Sequence, residues 1–175
     1  MIVWIDGANG VGKSHVAEKL AEHLSDEAAE YIESDRFWLT LIHNNPSVSF
    51  SGFFPYCNKH FLSMFRSMLE EKIEEFEKTP IVSMSLTDKL CQEELLDYFQ
   101  NKRITMLHII LEANRETIVS RIETDPNRDV KFQDQQKSNL NFQIQYLRKK
   151  YPNAIRINTE DKSIEEVVAE IMRFL

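Results

Sequence analysis

The sequence has little of what stabilises secreted, metal-binding or membrane-spanning proteins. It holds only two cysteines, Cys57 and Cys91, among 175 residues, so no disulfide framework is predicted and free thiols are expected. The five histidines show no ligand spacing, which argues against a metal site made of protein side chains alone. No apolar run is long enough to cross a bilayer, and because the first strand begins at Met1 we expect no signal peptide. These absences predict a cytoplasmic protein.

An excess of positive charge is also missing. The chain carries 21 Lys and Arg against 28 Asp and Glu, a formal charge of −7. Such a balance argues against broad binding of nucleic acid or anionic membranes, although it allows a local basic pocket for phosphates. With 42 % hydrophobic residues, the length suits one domain over residues 1–175 with a substantial core.

Glycine is scarce, yet three of the four glycines lie in one eight-residue stretch, Gly7-Ala8-Asn9-Gly10-Val11-Gly12-Lys13-Ser14. This is the G-x-x-x-x-G-K-S pattern of the phosphate-binding loop, or P-loop. Glycine lets the backbone curl around an anion, so that amides at a helix N-terminus converge on phosphates. We expect Gly7 and residues 9–14 to cradle a nucleoside triphosphate, with Lys13 at its β- and γ-phosphates and Ser14 on Mg²⁺.

The alternative is a simple glycine turn between a strand and a helix. The sequence context favours the P-loop, because the motif follows a buried-strand run at 1–6 and opens an amphipathic helix whose apolar face holds Val16, Ala17 and Leu20.

Strands and helices alternate along the rest of the chain. We predict strands at residues 2–6, 30–34, 81–85, 104–111 and 154–157. We predict helices at about 13–24, 57–77, 88–99, 114–124 and 133–150, and a last helix after a capping box at Ser163. Residues 40–58 are predicted to be irregular. The alternation indicates an α/β fold with a parallel sheet wrapped by helices.

This layout resembles the small P-loop kinases of the adenylate-kinase-like group, and within it the tunicamycin-resistance proteins and antibiotic phosphotransferases. The likeness is carried by the opening residues 2–7, the segment 53–68 and the strand 81–85. It implies a P-loop NTPase three-layer α/β/α sandwich, with a five-stranded parallel sheet of order 2-3-1-4-5. It also implies a substrate-binding insertion at about 36–79 and a lid at about 121–135.

The resemblance assigns roles to two acids. Asp35 follows the second strand, at the sheet edge where ligands bind in open α/β folds. It would orient the acceptor hydroxyl as an ionised carboxylate or hold a Mg²⁺-bound water; the alternative is a helix cap. Asp6, just before the P-loop, would contact Mg²⁺ waters or substrate, or satisfy loop amides.

Two arginines match the segment around the lid. Arg121 corresponds to the family arginine that packs on adenine or contacts phosphates, and Arg128 lies in the expected lid turn. Both would stabilise charge on the transferring phosphoryl group. Asp125 stands where many relatives have a second lid arginine, so Arg128 is its candidate substitute. The alternative for both is a solvated helix face.

Three further segments complete the expectation. Residues 158–161 would lie against adenine. Strand three ends in Ser83-Met84-Ser85 with no acid for Mg²⁺, and Asp88 is interpreted as a helix cap, which leaves Asp35 or Asp6 for the metal waters. The aromatic stretch 50–65 is the candidate acceptor pocket, although Phe61, Phe65 and Met68 fit an ordinary core better.

The sequence therefore predicts an ATP- and Mg²⁺-dependent kinase that phosphorylates a hydroxyl of a small molecule: an antibiotic, nucleoside, sugar or other metabolite. The resemblance implies ATP rather than GTP, and the lack of an Asn-Lys-x-Asp segment agrees with it. The alternatives are an ATP-binding resistance protein that sequesters a ligand, and a regulatory NTPase. We expect a monomer or homodimer with no nucleic-acid partner.

Overall fold

A computed structural model describes residues 1–25, 27–44, 58–74, 76–126 and 128–175. Its five strands form one parallel sheet in the order β2-β3-β1-β4-β5, which confirms the predicted topology. The strands are β1 (Ile2–Gly7), β2 (Ala29–Glu33), β3 (Thr79–Ser83), β4 (Met106–Glu112) and β5 (Ile155–Asn158).

Helices cover both faces of the sheet. They are α1 (Lys13–Leu24), α2 (Ser34–Asn44), α3 (Lys59–Glu74), α4 (Lys89–Cys91), α5 (Tyr98–Asn101), α6 (Arg115–Thr124), α7 (Val130–Lys150) and α8 (Ile164–Ile171). A π-helical segment, Gln92–Asp97, joins α4 to α5. A 3₁₀ turn, Met172–Phe174, follows α8.

Several boundaries differ from the sequence prediction by a few residues, and two of them lie at the edge of the sheet that carries the P-loop. Strand β2 ends at Glu33, and α2 occupies Ser34–Asn44, so the first part of the stretch predicted to be irregular is helical. The rest of that stretch, residues 45–57, lies outside the described residues. Strand β3 ends at Ser83 rather than residue 85, because Ser85 leaves the sheet and turns its hydroxyl to the P-loop.

Alternation along β1 divides the core between the two faces of the sheet. Val3 and Ile5 pack on one face with apolar residues of α1, α6 and α8. Ile2 and Trp4 pack on the other face with those of α3 and the helix that follows β3. Successive side chains of a strand point to opposite faces, so this buried strand has apolar residues on both. The strand holds the P-loop rigidly at its end.

The second core is aromatic. Phe61 and Phe65 are fully buried, their rings stack with centroids 5.8 Å apart, and Trp4 meets Phe65 edge-on at 6.5 Å. Their core role is therefore confirmed, and Met68 packs at the margin of the same cluster.

Predicted helix caps are present. The Asp88 carboxylate accepts the amides of Leu90 and Cys91 and begins α4. Ser163 and Glu166 form the reciprocal capping box of α8. None of the helices in the described part of the chain is long and apolar enough to cross a membrane.

Candidate active site

The P-loop opens into a cleft of about 1340 Å³ at the carboxyl edge of the sheet. Residues 9–16 form its floor. Its walls come from the ends of β2 and β3, from α6 and α7 with the turn between them, and from residues after β5. In an open parallel sheet this edge is where ligands bind, and strand order β3-β1-β4 places the switch point at the P-loop.

The P-loop glycines are required by backbone geometry. Gly7 has φ of +145°, and a Cβ there would lie 2.8 Å from the backbone oxygen of Leu111 on the neighbouring strand. Gly10 has φ of +79°, and a Cβ there would lie 2.5 Å from Ile122 Cγ1 in α6. Any side chain at either position would strain the loop or displace α6.

Lys13 folds back over the loop. Its Nζ donates to the carbonyl oxygens of Gly7 and Ala8, both at 3.0 Å. Desolvation lowers the pKa of Lys13 to about 8; Asp6, Asp35 and Glu33 oppose this shift, whereas the charge of Arg128 reinforces it. Lys13 is therefore a cation held at a destabilising site, which an arriving phosphate would stabilise.

Glu33, which sequence reasoning overlooked, faces the P-loop serine. The Ser14 hydroxyl donates to Glu33 Oε1 at 2.9 Å. Glu33 is the last residue of β2 and Ser14 is in the first turn of α1, so both lie at the carboxyl edge of the sheet. The sequence signal that could have identified Glu33 was an acid at a strand end, two residues before Asp35.

Asp6 is turned away from the cleft. It is fully buried, and its Oδ1 accepts the amides of Gly7 at 2.6 Å and Leu86 at 3.2 Å. Its Oδ2 lies 2.9 Å from His108 Nε2. Of the alternatives for Asp6, this geometry favours the satisfaction of loop amides over contact with Mg²⁺ waters.

His108 was also overlooked. It is in β4, directly opposite Trp4 of β1, and its ring lies edge-on to Tyr151 with centroids 4.8 Å apart. The Tyr151 hydroxyl donates to the Leu86 carbonyl at 2.9 Å. The sequence signal that could have identified His108 was a single polar residue inside an apolar strand that pairs with β1.

The edge beyond β3 carries hydroxyls rather than an acid. Ser85 Oγ donates to the Gly7 carbonyl at 2.6 Å, the oxygen that Lys13 also contacts. Asp88 is committed to capping α4, with its Oδ1 2.8 Å from the Leu90 amide. The interpretation of Asp88 as a cap is thus confirmed.

Asp35 lies in the first turn of α2, one residue after the helix begins, and lines the cleft. The residue is exposed to the cleft, yet the concave surface around its carboxyl group removes hydration and raises its pKa, an effect that Lys13 opposes. A carboxylate with a raised pKa beside the P-loop lysine suits the orientation of a hydroxyl.

Arg121 joins three parts of the chain at one end of the cleft. Its Nη1 donates to the Val11 carbonyl at 3.2 Å and to Thr159 Oγ1 at 2.9 Å, and its Nη2 donates to the Thr159 carbonyl at 2.9 Å. It therefore joins α6 to the P-loop and to the residues after β5. Arg121 lines the cleft rather than a solvated outer face of the helix.

Arg128 belongs to the turn between α6 and α7, whose residue 127 lies outside the described part. Its Nε donates to Asp125 Oδ2 at 3.3 Å and its Nη1 to Gln136 Oε1 at 2.6 Å. Arg128 lines the same cleft as Lys13, near enough for its charge to act on the lysine. Asp125, the departure from the family pattern, is thus the partner that holds Arg128.

Charge is unevenly distributed around the cleft. The cations that line it include Lys13 in the P-loop, Arg128 beside Asp125 and Asp129 at the α6–α7 turn, Arg121 in α6 and Lys162 after β5. The side formed by the ends of β2 and β3 has Glu33, Asp35 and Asp88, and among its described residues the lining has no lysine or arginine.

The residues present fit magnesium. Ser14 and Glu33 offer a hydroxyl and a carboxylate oxygen 2.9 Å apart, and Asp35 is near enough to Lys13 to act on its charge. Oxygen donors of this kind are those that Mg²⁺ takes alongside phosphates and water. Nowhere in the described ranges, this site included, are three or more acids, histidines or cysteines gathered around a position for a metal.

Four aromatic residues of the predicted acceptor pocket lie outside the described residues: Phe50, Phe53, Phe54 and Tyr56. Described apolar side chains of the cleft wall include Leu39 of α2 and Phe132 and Phe142 of α7, which are 65 %, 43 % and 59 % exposed.

Comparison with solved structures shows the same fold. The tunicamycin resistance protein of Deinococcus radiodurans superposes with a TM-score of 0.74 at 22 % identity, covering 99 % of this chain and 94 % of that one. Shikimate kinase from Bacteroides thetaiotaomicron gives a TM-score of 0.63 at 18 % identity, covering 99 % and 97 %. A gluconokinase from Sinorhizobium meliloti 1021 gives 0.63 at 15 % identity, covering 98 % and 89 %.

Comparison with curated protein sequences finds no match. A family model described as an AAA domain matches residues 3–147, from the first strand to the last turn of α7. The P-loop, the sheet order and the kinase neighbours show that the chain has the fold of the small P-loop kinases. The match to the family model shows that the chain belongs to the AAA-domain family.

Proposed function

We propose that this protein is an ATP-dependent phosphotransferase that moves the γ-phosphate to a hydroxyl of a small molecule. The observation that carries the proposal is that Lys13, Asp35 and Arg128 line one cleft at the P-loop. The charges of Asp35 and Arg128 both act on Lys13. A cation pair on the phosphoryl group and a carboxylate beside it are what in-line transfer needs.

The P-loop binds the triphosphate in this proposal. The amides of residues 10–13 and the N-terminus of α1 hold the phosphates. Lys13 leaves the carbonyls of Gly7 and Ala8, to which it bonds at 3.0 Å, for the β- and γ-phosphates. Ser14, with Glu33 behind it, holds Mg²⁺, which neutralises phosphate charge when bound. Glu33 therefore replaces Asp6 as a candidate acid for the waters bound to Mg²⁺.

Asp35 orients the acceptor. Its carboxylate accepts a hydrogen bond from the acceptor hydroxyl, which directs the oxygen lone pair at the γ-phosphorus. Its raised pKa makes it a better acceptor for the hydroxyl proton as the new O–P bond forms. Arg128 stabilises the negative charge of the transferring phosphoryl group. Arg121 holds the P-loop against residues 158–161, the segment proposed to lie against adenine.

The turn between α6 and α7, with the flanking residues of about 121–135, is proposed as the lid. Its closure would exclude water and limit wasteful hydrolysis. Asp125 holds Arg128 at 3.3 Å, so the arginine moves with this turn. The site then assembles when the turn closes over the phosphates.

The acceptor side of the cleft suits a neutral or cationic hydroxyl compound with some apolar surface. Its described lining has carboxylates and no lysine or arginine. The undescribed residues 45–57 contain no charged side chain, so they cannot supply a cation. Leu39 and Phe142 add exposed apolar surface. Antibiotics, nucleosides and sugars all contain members of this class.

Coupled ADP release with Mg·ATP tests the proposal across hydroxylated nucleosides, sugars and antibiotics, with Lys13→Ala as the blank. We expect acceptor-dependent ADP from one compound class. Asp35→Asn should retain nucleotide affinity and lower turnover by about 100-fold or more, the usual effect of a positioned acid or base. Normal turnover in Asp35→Asn would remove Asp35 from the reaction.

Two outcomes would point to the alternatives. Nucleotide-dependent binding of a compound that is never phosphorylated would indicate a sequestering protein. Hydrolysis of ATP that no compound accelerates would indicate a regulatory NTPase. Either would contradict phosphotransfer.

A further inference from the structure

Helix α7 turns a row of amide side chains towards the cleft. Three amide residues of this helix line the cleft at helical spacing: Gln136, Asn139 and Gln143. Gln136 already accepts a hydrogen bond from Arg128. The innermost residue of the row, Gln143, is the one that reaches the P-loop.

Gln143 is a buried polar residue with only 8 % of its surface exposed. Its Oε1 accepts the backbone amide of Asn9 at 3.0 Å. Asn9 belongs to the P-loop, so one loop amide is taken by a side chain of α7 instead of being left for a phosphate. The P-loop is thereby fixed to the helix that follows the α6–α7 turn.

The orientation of the Gln143 amide follows from its partner. A backbone N–H can only donate, so the atom facing Asn9 must be the oxygen, and Nε2 with its two N–H groups points away from that amide. Within the described residues Nε2 has no hydrogen-bond partner, and it is not sealed in the interior. Because Gln143 lines the cleft, Nε2 is a donor presented to whatever the P-loop binds.

An anion is the natural partner of that donor. Nε2 has no partner among the described residues, and a charged acceptor gives a donor a stronger hydrogen bond than a neutral one. The P-loop beside Gln143 is a phosphate-binding motif, so phosphate is the anion expected there. Asn9 is next to Ala8, whose carbonyl oxygen lies 3.0 Å from Lys13 Nζ. Gln143 thus occupies the backbone N–H of Asn9 with its Oε1 and offers the N–H groups of its own Nε2 in its place.

We propose that Gln143 is a γ-phosphate ligand: its Nε2 donates to a γ-phosphate oxygen of the bound triphosphate while its Oε1 holds the Asn9 amide. This inference rests on the nucleotide binding of the proposed function. It makes α7 sensitive to the third phosphate, so that ATP and ADP are told apart by the helix as well as by the loop.

Equilibrium affinities for Mg·ADP and for the Mg²⁺ complex of the non-hydrolysable ATP analogue adenylyl imidodiphosphate test the inference. Gln143→Glu keeps an oxygen for the Asn9 amide and removes the donor. Gln143→Met removes the donor without adding charge. Gln145→Glu is the matched control, since Gln145 is exposed on the same helix and lies outside the cleft lining.

We expect both Gln143 variants to bind the triphosphate analogue about tenfold or more weaker, the value of a hydrogen bond to a charged group. The preference for triphosphate over ADP should fall by a similar factor, and Gln145→Glu should match the wild type. If both nucleotides weakened equally, Gln143 would only shape the loop and the inference would be wrong. Unchanged affinities would equally overturn it.

A wild-type protein that binds triphosphate and ADP equally would also overturn the inference, because no γ-phosphate contact would then exist. Absence of any nucleotide binding by the wild type would refute the proposed function itself, and with it the role of Gln143. These results are distinguishable because each is a separate pattern of two affinities.

Discussion

Nucleotide affinity should depend on pH through Lys13. In the free protein, desolvation lowers the pKa of this side chain to about 8. Only the protonated amine attracts phosphates, and bound phosphates stabilise that form, so binding takes up a proton whenever the free lysine is neutral. Affinity is therefore full below pH 8 and is lost as pH rises through that value.

The size of the effect follows from the pKa. The apparent Kd is multiplied by one plus the ratio of neutral to charged lysine in the free protein. With a pKa of about 8, the multiplier is about 1.1 at pH 7 and about 11 at pH 9. The Kd for Mg·ATP should thus rise about tenfold between these two pH values. An ordinary lysine, with a pKa near about 10.4, would change it by only a few per cent.

Isothermal titration calorimetry at pH 7, 8 and 9 measures this change, and buffers of different ionisation enthalpy count the protons taken up. Lys13→Arg is the control, because a guanidinium stays charged throughout this range. Whatever its affinity, that variant should show no lysine-dependent change. Asp35→Asn removes a charge that raises the Lys13 pKa, so its midpoint should move to lower pH.

A Kd that is flat from pH 7 to 9 in the wild type would refute the reasoning. So would an equal rise in Lys13→Arg, since the titrating group would then be another one. No proton uptake at pH 9 would contradict the link between phosphate binding and the charge of Lys13.

Three further predictions concern the frame of the site. Gly10→Ala should destabilise the fold by about 1–3 kcal/mol and weaken Mg·ATP binding, because its φ is +79° and the new Cβ would meet Ile122; an unchanged melting temperature would contradict this. Glu33→Gln should raise the Mg²⁺ concentration needed for ATP binding, and an unaltered Mg²⁺ titration would remove Glu33 from the metal site. Asp6→Ala should lower stability by about 3 kcal/mol in urea denaturation, because two backbone amides and His108 lose a buried acceptor, and a loss below about 0.5 kcal/mol would show that the carboxylate is dispensable.

The fold could be predicted because its signals are local. The P-loop motif, a buried strand before it and an amphipathic helix after it are all contiguous in sequence. The Ser163 capping box and the Asp88 cap are also local patterns, and both are present. Strand order came from resemblance, because residues 2–7 and 81–85 match a family whose sheet is known.

Glu33 and His108 were missed because their roles depend on residues distant in sequence. Glu33 meets Ser14 across 19 positions, and His108 meets Asp6 across 102. Neither pairing has a spacing signature, since each arises only when parallel strands bring their carboxyl ends or their neighbouring positions together. Asp6 was singled out by its place before the P-loop, and its burial could be read only from the packed sheet.

Boundaries were less accurate than element types. Strand β2 was predicted to continue through residue 34, and α2 was not among the predicted helices, because Ser34 can end a strand or begin a helix and tertiary packing decides. Here Ser34 is buried and its hydroxyl donates to the Ser83 carbonyl at 3.3 Å, which fixes the exit from β2. Gln143 carried no motif, and its contact with Asn9 is visible only in the folded structure.

Transfer of label from γ-³²P-ATP to a small-molecule acceptor tests the central claim most directly. The protein would be incubated with Mg²⁺ and pooled neutral or cationic hydroxyl compounds, beside Lys13→Ala, and the products separated by chromatography. We expect label in one organic product, absent with Lys13→Ala and depressed with Asp35→Asn. Release of inorganic phosphate alone, or bound ATP that labels no compound, would contradict a phosphotransferase.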